Sequence, residues 1–263
     1  GGETFYPWQQ GIPELRAALA RYYGRHFGIE SGPNDYIVVG SGMQAIQLAL
    51  QAVAGAGDEC IYLSPAWPNF AAALEVAGGK AVPVTLDFSE NGWTLDLERF
   101  EAAITPRTRA LFINTPSNPT GWAADRETLS AILEIARRHG IWIIADEIYE
   151  HLTYDDNVHH SMRALVPEIA DHFVAVNGVA KTYAMTGWRI GWMIGPDDLI
   201  RAAGNLQSHG TSNVANVSQR AALAAVSGDL TDVADMRASF DRRRRRMVEM
   251  LRAIEGVDLL APQ

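Results

Sequence analysis

The chain has 263 residues, 48% of them hydrophobic and 20% charged, with a formal net charge of −9 at pH 7. This is the composition of a globular protein with a sizeable core. The acidic balance and the lack of a membrane-length apolar run exclude a nucleic-acid surface and a membrane span as leading roles. The one cysteine, Cys60, cannot form an internal disulfide, so the expectation is a cytoplasmic protein with a buried small thiol.

In chain order, residues 1–11 have no helical period and read as an extended arm holding Tyr6, Pro7 and Trp8. A helix is expected from Pro13, a residue suited to a first helical position, to Phe27 before Gly28. Strand is expected at Tyr36–Val39, Cys60–Leu63, Ala81–Val84, Ala110–Ile113, Ile141–Ala145, His172–Val176 and Arg189–Ile194. Between them lie helices from Met43 to about Ala54, at Trp67–Ala77, at Leu95–Ile104 and at Arg126–His139, the last capped by Asp125. The remainder reads as helix at Asp197–Gln207, Val214–Val226 and Thr231–Ile254, and Val257–Leu260 as the start of another strand. Strands alternating with helices at this spacing predict an α/β fold, a mostly parallel mixed sheet sandwiched by helices.

Several stretches carry chemistry. Gly40-Ser41-Gly42-Met43-Gln44-Ala45 fits G-x-G-x-x-A between a strand and a helix. A nicotinamide site also needs an acidic residue ending the next strand, where this chain has Ser64-Pro65. What survives is a phosphate cradle from the N–H groups of Gly42, Met43 and Gln44, or a tight turn without a ligand. Trp67, at another strand-to-helix junction, stacks on a planar ring or packs in the core. Asp146 and Glu147 end a fully apolar strand. A carboxylate there needs a partner, such as a protonated ring nitrogen, or it caps the Ile148–His151 turn that also carries Tyr149. Asn118 sits in a proline-rich turn.

Lysine is scarce. Only Lys80 and Lys181 occur among the 22 Lys and Arg residues, so surface cations are arginines and a lysine calls for a separate reason. A desolvated lysine can lose its proton and attack a carbonyl, which arginine cannot do. Lys80 follows Gly78-Gly79 and reads as a solvated turn residue. Lys181 follows a strand end, where such folds place chemistry, although a lysine snorkelling from a loop looks the same. Arg189 stands eight residues later, able to close a phosphate site with a bidentate guanidinium. The run Arg242 to Arg246 spreads around a helix rather than forming a nucleic-acid face. His159-His160 has no second cluster at ligand spacing, so no metal is expected. The remaining signals together match an aldehyde cofactor with a phosphate and a pyridine ring.

With Gly11–Arg16, Asn114–Gly121, Asp146–Glu150 and Asn177–Arg189 in this order, the chain resembles the fold-type-I, pyridoxal-phosphate-dependent aminotransferases of class I/II, most closely their bacterial aspartate and aromatic aminotransferase subgroup. The resemblance implies that Lys181 holds pyridoxal 5'-phosphate covalently and moves the substrate proton. It further implies that Asp146 pairs with the pyridine nitrogen, that Asn118 and Tyr149 bond the ring oxygen, and that Trp67 stacks on the ring. Gly42, Met43, Gln44 and Arg189 would bind the phosphate, and Tyr6 would reach the site of a partner subunit. The implied activity is amino-group transfer between an amino acid and a 2-oxo acid by a ping-pong route, in a homodimer with shared active sites. A C–S β-lyase and a non-catalytic ligand-sensing domain are the alternatives. The implied domains are an arm (1–11), a large cofactor-binding domain (12–230) and a helix leading into a small domain (231–263). Members of the family are much longer. The expectation is therefore that most of the small domain, with the arginine that clamps the substrate α-carboxylate, lies outside these residues.

Overall fold

The computed structural model describes residues 2–166 and 172–263. Residue 1 of the expected arm lies outside the described residues. The elements are α1 (Pro13–Phe27), β1 (Tyr36–Val39), α2 (Gly42–Val53), β2 (Glu59–Ser64), α3 (Asn69–Val76), β3 (Lys80–Thr85), β4 (Asp87–Ser89), β5 (Gly92–Thr94), α4 (Leu97–Ala102) and β6 (Thr108–Asn114). They continue with α5 (Arg126–His139), β7 (Trp142–Asp146), α6 (Met162–Leu165), β8 (Phe173–Gly178), β9 (Gly191–Ile194), α7 (Asp197–Gly210), α8 (Asn216–Ser227) and α9 (Thr231–Arg252).

Among the described residues the main sheet has seven strands in the order β1-β9-β8-β7-β6-β2-β3. β9 pairs antiparallel with both β1 and β8, while the other pairings are parallel. Side chains alternate across it. Tyr36, Val38, Ile143, Ala145, Phe173 and Ala175 join the core under α1 and α5, whereas Ile37, Val39, Ile144, Val174 and Val176 join the core under α2, α3 and α7. A sheet covered on both faces explains why its strands read as continuous apolar runs.

Local signals set the helix ends. Pro13 opens α1, and Gly28, at φ 67°, closes it. Asp125 Oδ1 accepts the Thr128 N–H at 2.7 Å, which is the expected cap of α5. Cys60 is buried on β2.

The structure departs from expectation in four places. Lys80 is the first residue of β3 rather than a turn residue, although its side chain is exposed and meets Glu59 at 3.5 Å. The β4–β5 hairpin was not anticipated, because three-residue strands are too short to show a period. Arg189 does not start β9; it takes a left-handed turn conformation, φ 54°, after the 3-10 turn Thr186–Trp188. Val257–Leu260 forms no strand, and among the described residues no strand lies beside it to pair with.

Candidate cofactor and active site

The parallel strands end at one edge of the sheet. Because β9 runs the other way, it begins there: Gly191 stands beside Gly178, the last residue of β8, and beside Val39, the last of β1. Arg189 and Lys181 therefore reach the same edge from opposite ends of one loop. Gly191 has a packing reason as well. A Cβ on it would lie 2.5 Å from the Ser41 carbonyl carbon and 2.6 Å from the Gly42 nitrogen, so its absence lets the N-terminus of α2 sit directly against β9.

A cavity of about 270 Å³ opens at this edge. Lys181, Asp146, Tyr149, Asn118, Trp67, Arg189, Gly42 and Met43 all line it, joined by Ser41, Asn114, Ile148, Thr186 and Ile190. Of the expected site residues, the cavity thus gathers all but Gln44 and Tyr6. The Gln44 N–H donates to Ser41 Oγ at 3.0 Å, and its side chain turns away to Gly40 and Thr211. That arrangement commits a donor assigned to the cradle and places the Ser41 hydroxyl in the cavity instead. The first-turn N–H groups of Gly42 and Met43 have no intrahelical acceptor, as at any helix start, and the helix dipole favours an anion there. Tyr6 lies 87% exposed on the arm, beside residues 211–217 and away from Lys181.

Asp146 sets the electrostatics of the cavity. It is the last residue of β7 and is buried. Its Oδ1 accepts the Ile148 N–H at 3.1 Å, and among the described residues it makes no ion pair. Burial pushes its carboxyl up to about 7; the Ile148 N–H and the Lys181 charge act against that rise, while neighbouring Glu147 adds to it. Asp146 thus caps the turn, as one of its two readings expects, and is at the same time a desolvated carboxyl. Asn118 Nδ2 stands 3.5 Å from the Tyr149 hydroxyl, and Lys181 Nζ lies 5.8 Å from the centre of the Tyr149 ring. Burial, then the Asp146 charge, raises the Tyr149 phenol.

Asn114 was not anticipated. It ends β6 directly beside Asp146 in the sheet, donates from Nδ2 to the Asp146 carbonyl at 3.2 Å, and accepts the Asn118 N–H at 2.8 Å. The available signal was the one used for Asp146, a polar side chain ending an apolar strand. Ser41, in the middle of Gly40-Ser41-Gly42, was readable as a cap.

Below this turn, His159 meets Glu147 and Glu150, with one possible ligand atom of each lying within 4.8 Å of the others. The spacing rule did not find this group because its members come together only through the fold. Glu147 is hydrogen-bonded by the Ser161 hydroxyl at 2.8 Å and the Met162 N–H at 2.7 Å, and Glu150 by the Tyr22 hydroxyl at 2.5 Å. Burial, assisted by Glu147, pushes the Glu150 carboxyl up to about 8. Glu150 Oε2 and His159 Nε2, both buried, have no hydrogen-bond partner among the described residues. Three of the five arginines in the run are ion-paired: Arg244 and Arg245 with Asp155 and Asp241, and Arg246 with Glu249.

The family model for aminotransferase class I and II matches residues 1–263. An aspartate aminotransferase of Streptomyces avermitilis is 51% identical over 247 residues, covering 94% of this chain and 60% of that protein. An aspartate/prephenate aminotransferase of Cereibacter sphaeroides is 41% identical over 263 residues, which is 66% of its length. Among solved structures, the aspartate aminotransferase of Rhizobium meliloti superposes with a TM-score of 0.96 at 37% identity, covering 100% of this chain and 66% of that one. A single mutant of the Thermus thermophilus aspartate aminotransferase gives 0.93 at 40% identity, over 100% of this chain and 68% of that one. The chain thus spans about two thirds or less of the relatives it matches.

Proposed function

The chain belongs to the class I and II aminotransferases, and on that premise we propose that it forms the pyridoxal 5'-phosphate site of an enzyme that moves an amino group between an amino acid and a 2-oxo acid. The observation that carries this reading is the cavity at the sheet edge. It unites a lysine, a buried carboxylate without an ion-pair partner among the described residues, an aromatic ring, an amide–phenol pair and a helix N-terminus with an arginine. Each feature suits one part of the cofactor. The unpaired Asp146 fits a protonated ring nitrogen, and the start of α2 fits a phosphate.

When bound, pyridoxal phosphate supplies an aldehyde for the amino group and a ring that accepts the electron pair released at the substrate α-carbon. Lys181 Nζ would hold it as nucleophile and would serve as the base that takes and returns the substrate α-proton. Asp146 keeps the proton on the ring nitrogen. Asn118 Nδ2 and the Tyr149 hydroxyl bind the ring oxygen, and Trp67 covers one ring face. Ser41 Oγ, the N–H groups of Gly42 and Met43, and Arg189 bind the phosphate; Gln44 supports them by fixing Ser41.

The proposed division is an arm at 1–11, a cofactor domain at 12–230 and a helix leading toward a small domain at 231–263. The exposed apolar residues Met247, Met250 and Ile254 of that last part support it. Exposure of Phe5, Tyr6 and Trp8 supports an arm that packs on a second copy, with Tyr6 serving the partner's phosphate site in a homodimer. We place the enzyme in the cytoplasm; no helix among the described residues is long and apolar enough to cross a membrane. The relatives' names make aspartate the first donor to test. The protein that carries this chain, supplied with pyridoxal phosphate, aspartate and 2-oxoglutarate, should release glutamate. Pyruvate and ammonia without glutamate would point to elimination, and cofactor binding without turnover of any amino acid would point to a sensor.

A further inference from the structure

Asn118 and Tyr149 reach the cavity from two different segments, the turn that follows β6 and the turn that follows β7, and their contact is long at 3.5 Å. A contact of that length is sensitive to small displacements of either segment. Asn114 and Asp146 tie the starts of both segments at the sheet edge, but beyond those bonds neither segment belongs to regular structure, and contacts from outside the sheet complete their placement.

The side chain of Arg244, on α9, bridges them. It is 8% exposed. Its Nε donates to Asp241 Oδ1 at 2.8 Å, within its own helix. Nη2 donates to Asp155 Oδ2 at 2.7 Å, and the guanidinium lies 4.8 Å from the centre of the Tyr154 ring. Both residues belong to the segment that continues from Tyr149, where the Leu152 N–H donates to the Tyr149 carbonyl at 2.8 Å. Nη1 donates to the Pro262 carbonyl at 2.9 Å. Pro262 and Gln263 in turn lie on the Asn118 turn. The Gln263 N–H donates to the Gly121 carbonyl at 2.9 Å, and Gln263 Oε1 accepts the Ala123 N–H at 3.0 Å. Gln263 Nε2 donates to Asn157 Oδ1 at 3.1 Å, closing the circuit back to the first segment. The approach is so close that a Cβ on Gly121 would stand 2.6 Å from Pro262 Cβ, at a φ of 67° that already favours glycine. Inside the turn, the Gly121 N–H donates to the Ser117 carbonyl at 3.0 Å, the Ser117 N–H donates to the Trp122 carbonyl at 2.8 Å, and Asn114 Oδ1 accepts the Asn118 N–H.

We propose that Arg244 is a positioning residue for the cofactor site: by tying the Tyr154–Asp155 segment and the Pro262–Gln263 segment to α9, it sets Asn118 against Tyr149. A planar guanidinium suits this because it serves three acceptors in fixed directions while stacking on an aromatic ring, which an ammonium cannot reproduce. Arg245 provides an internal control. It bonds the same two carboxylates, Asp155 and Asp241, but is 63% exposed and makes no bond to Pro262.

The inference rests on the cofactor reading for its consequence but not for the brace itself, and the test separates the two. Arg244→Ala, Arg244→Lys and Arg245→Ala are prepared in the full polypeptide with pyridoxal phosphate. Amide hydrogen exchange is followed for residues 117–123, together with the cofactor dissociation constant and the pH dependence of its absorption band, which reports the partners of the ring oxygen. Arg244→Ala should speed exchange in 117–123 by roughly tenfold or more, the scale of one lost charge-assisted bond. It should weaken cofactor binding several-fold and move the absorption midpoint. Arg244→Lys should restore only part of both effects, and Arg245→Ala should change neither. Unchanged exchange in Arg244→Ala, or equal effects from Arg245→Ala, overturns the brace. Faster exchange with unaltered affinity and absorption overturns the positioning role. If the unsubstituted protein binds no pyridoxal phosphate yet Arg244→Ala still speeds exchange, the brace stands and the cofactor reading falls.

Discussion

Replacing Asp146 by Asn separates the two jobs that the structure gives this residue. Asparagine keeps an oxygen where Asp146 Oδ1 accepts the Ile148 N–H, so the turn that carries Tyr149 remains capped. What disappears is the negative charge. In the cofactor-free protein that charge is a burden: burial pushes the carboxyl from 3.8 to about 7. Between roughly pH 4 and 7 the folded protein therefore holds a proton that the unfolded chain has released, and stability falls as the pH rises through this window. About three pH units at ~1.36 kcal/mol each bound the effect at about 4 kcal/mol. Glu150, pushed from 4.5 to about 8 by burial, contributes with the same sign, but it is present in both proteins and cancels in the difference. Asp146→Asn without cofactor should accordingly be more stable than the parent at pH 8, with the gap closing toward pH 4.

With cofactor the sign reverses. The ring nitrogen loses its charge partner, and the loss of such a preorganised stabiliser costs a hundredfold or more in rate, about 2.7 kcal/mol in the barrier. The assays are denaturant unfolding of the cofactor-free protein across pH and single-turnover transamination of the loaded protein. Near-normal turnover in Asp146→Asn would show that the residue is only a cap and would refute the reasoning. A pH-independent stability difference would refute the electrostatic account of its burial.

Lys181→Ala should still bind pyridoxal phosphate non-covalently but lose turnover by several orders of magnitude, since nucleophile and proton carrier vanish together. In the parent, borohydride reduction should fix the cofactor on Lys181; label on Lys80, whose exposed side chain faces Glu59, would reverse the assignment. Gly191→Ala forces a Cβ within 2.5–2.6 Å of the Ser41–Gly42 backbone. It should destabilise the protein by about 1–3 kcal/mol and weaken cofactor binding, as read by unfolding midpoint and titration; two unchanged values would mean that α2 does not depend on this contact. Asp125→Ala removes the α5 cap and should cost about 1 kcal/mol in chemical denaturation with turnover unaffected, and a catalytic loss would show that α5 reaches the site.

How far such a site can be read from sequence depends on what places each residue. Asp146 was legible because its signal is local: a carboxylate ending an apolar strand must be explained wherever that strand lies. Lys181 was legible through composition, as one of two lysines in an arginine-rich chain. The alternation that assigns Ile143 and Ile144 to opposite cores was not, because strands buried on both faces show no period. Gln44 was misjudged for a related reason. The fingerprint counts N–H groups at a helix start, but whether the third is free depends on the rotamer of Ser41, which here caps it.

Strand direction is the least legible feature, and the site depends on it. Arg189 lies eight residues beyond Lys181, within the twelve residues (179–190) that join β8 to β9, and a parallel β9 would carry the arginine to the far edge of the sheet. Parallel neighbours need a crossover of a dozen residues or more. The twelve residues between β8 and β9 stand at that limit and do not by themselves fix the direction; β9 returns antiparallel and begins where β8 ends. The antiparallel return thus places Arg189 and Lys181 at one edge, and the missing Cβ of Gly191 lets the α2 N-terminus close in behind them. The inserted antiparallel strand is what assembles a lysine, an arginine and a helix N-terminus at one point, using three segments that no local pattern links.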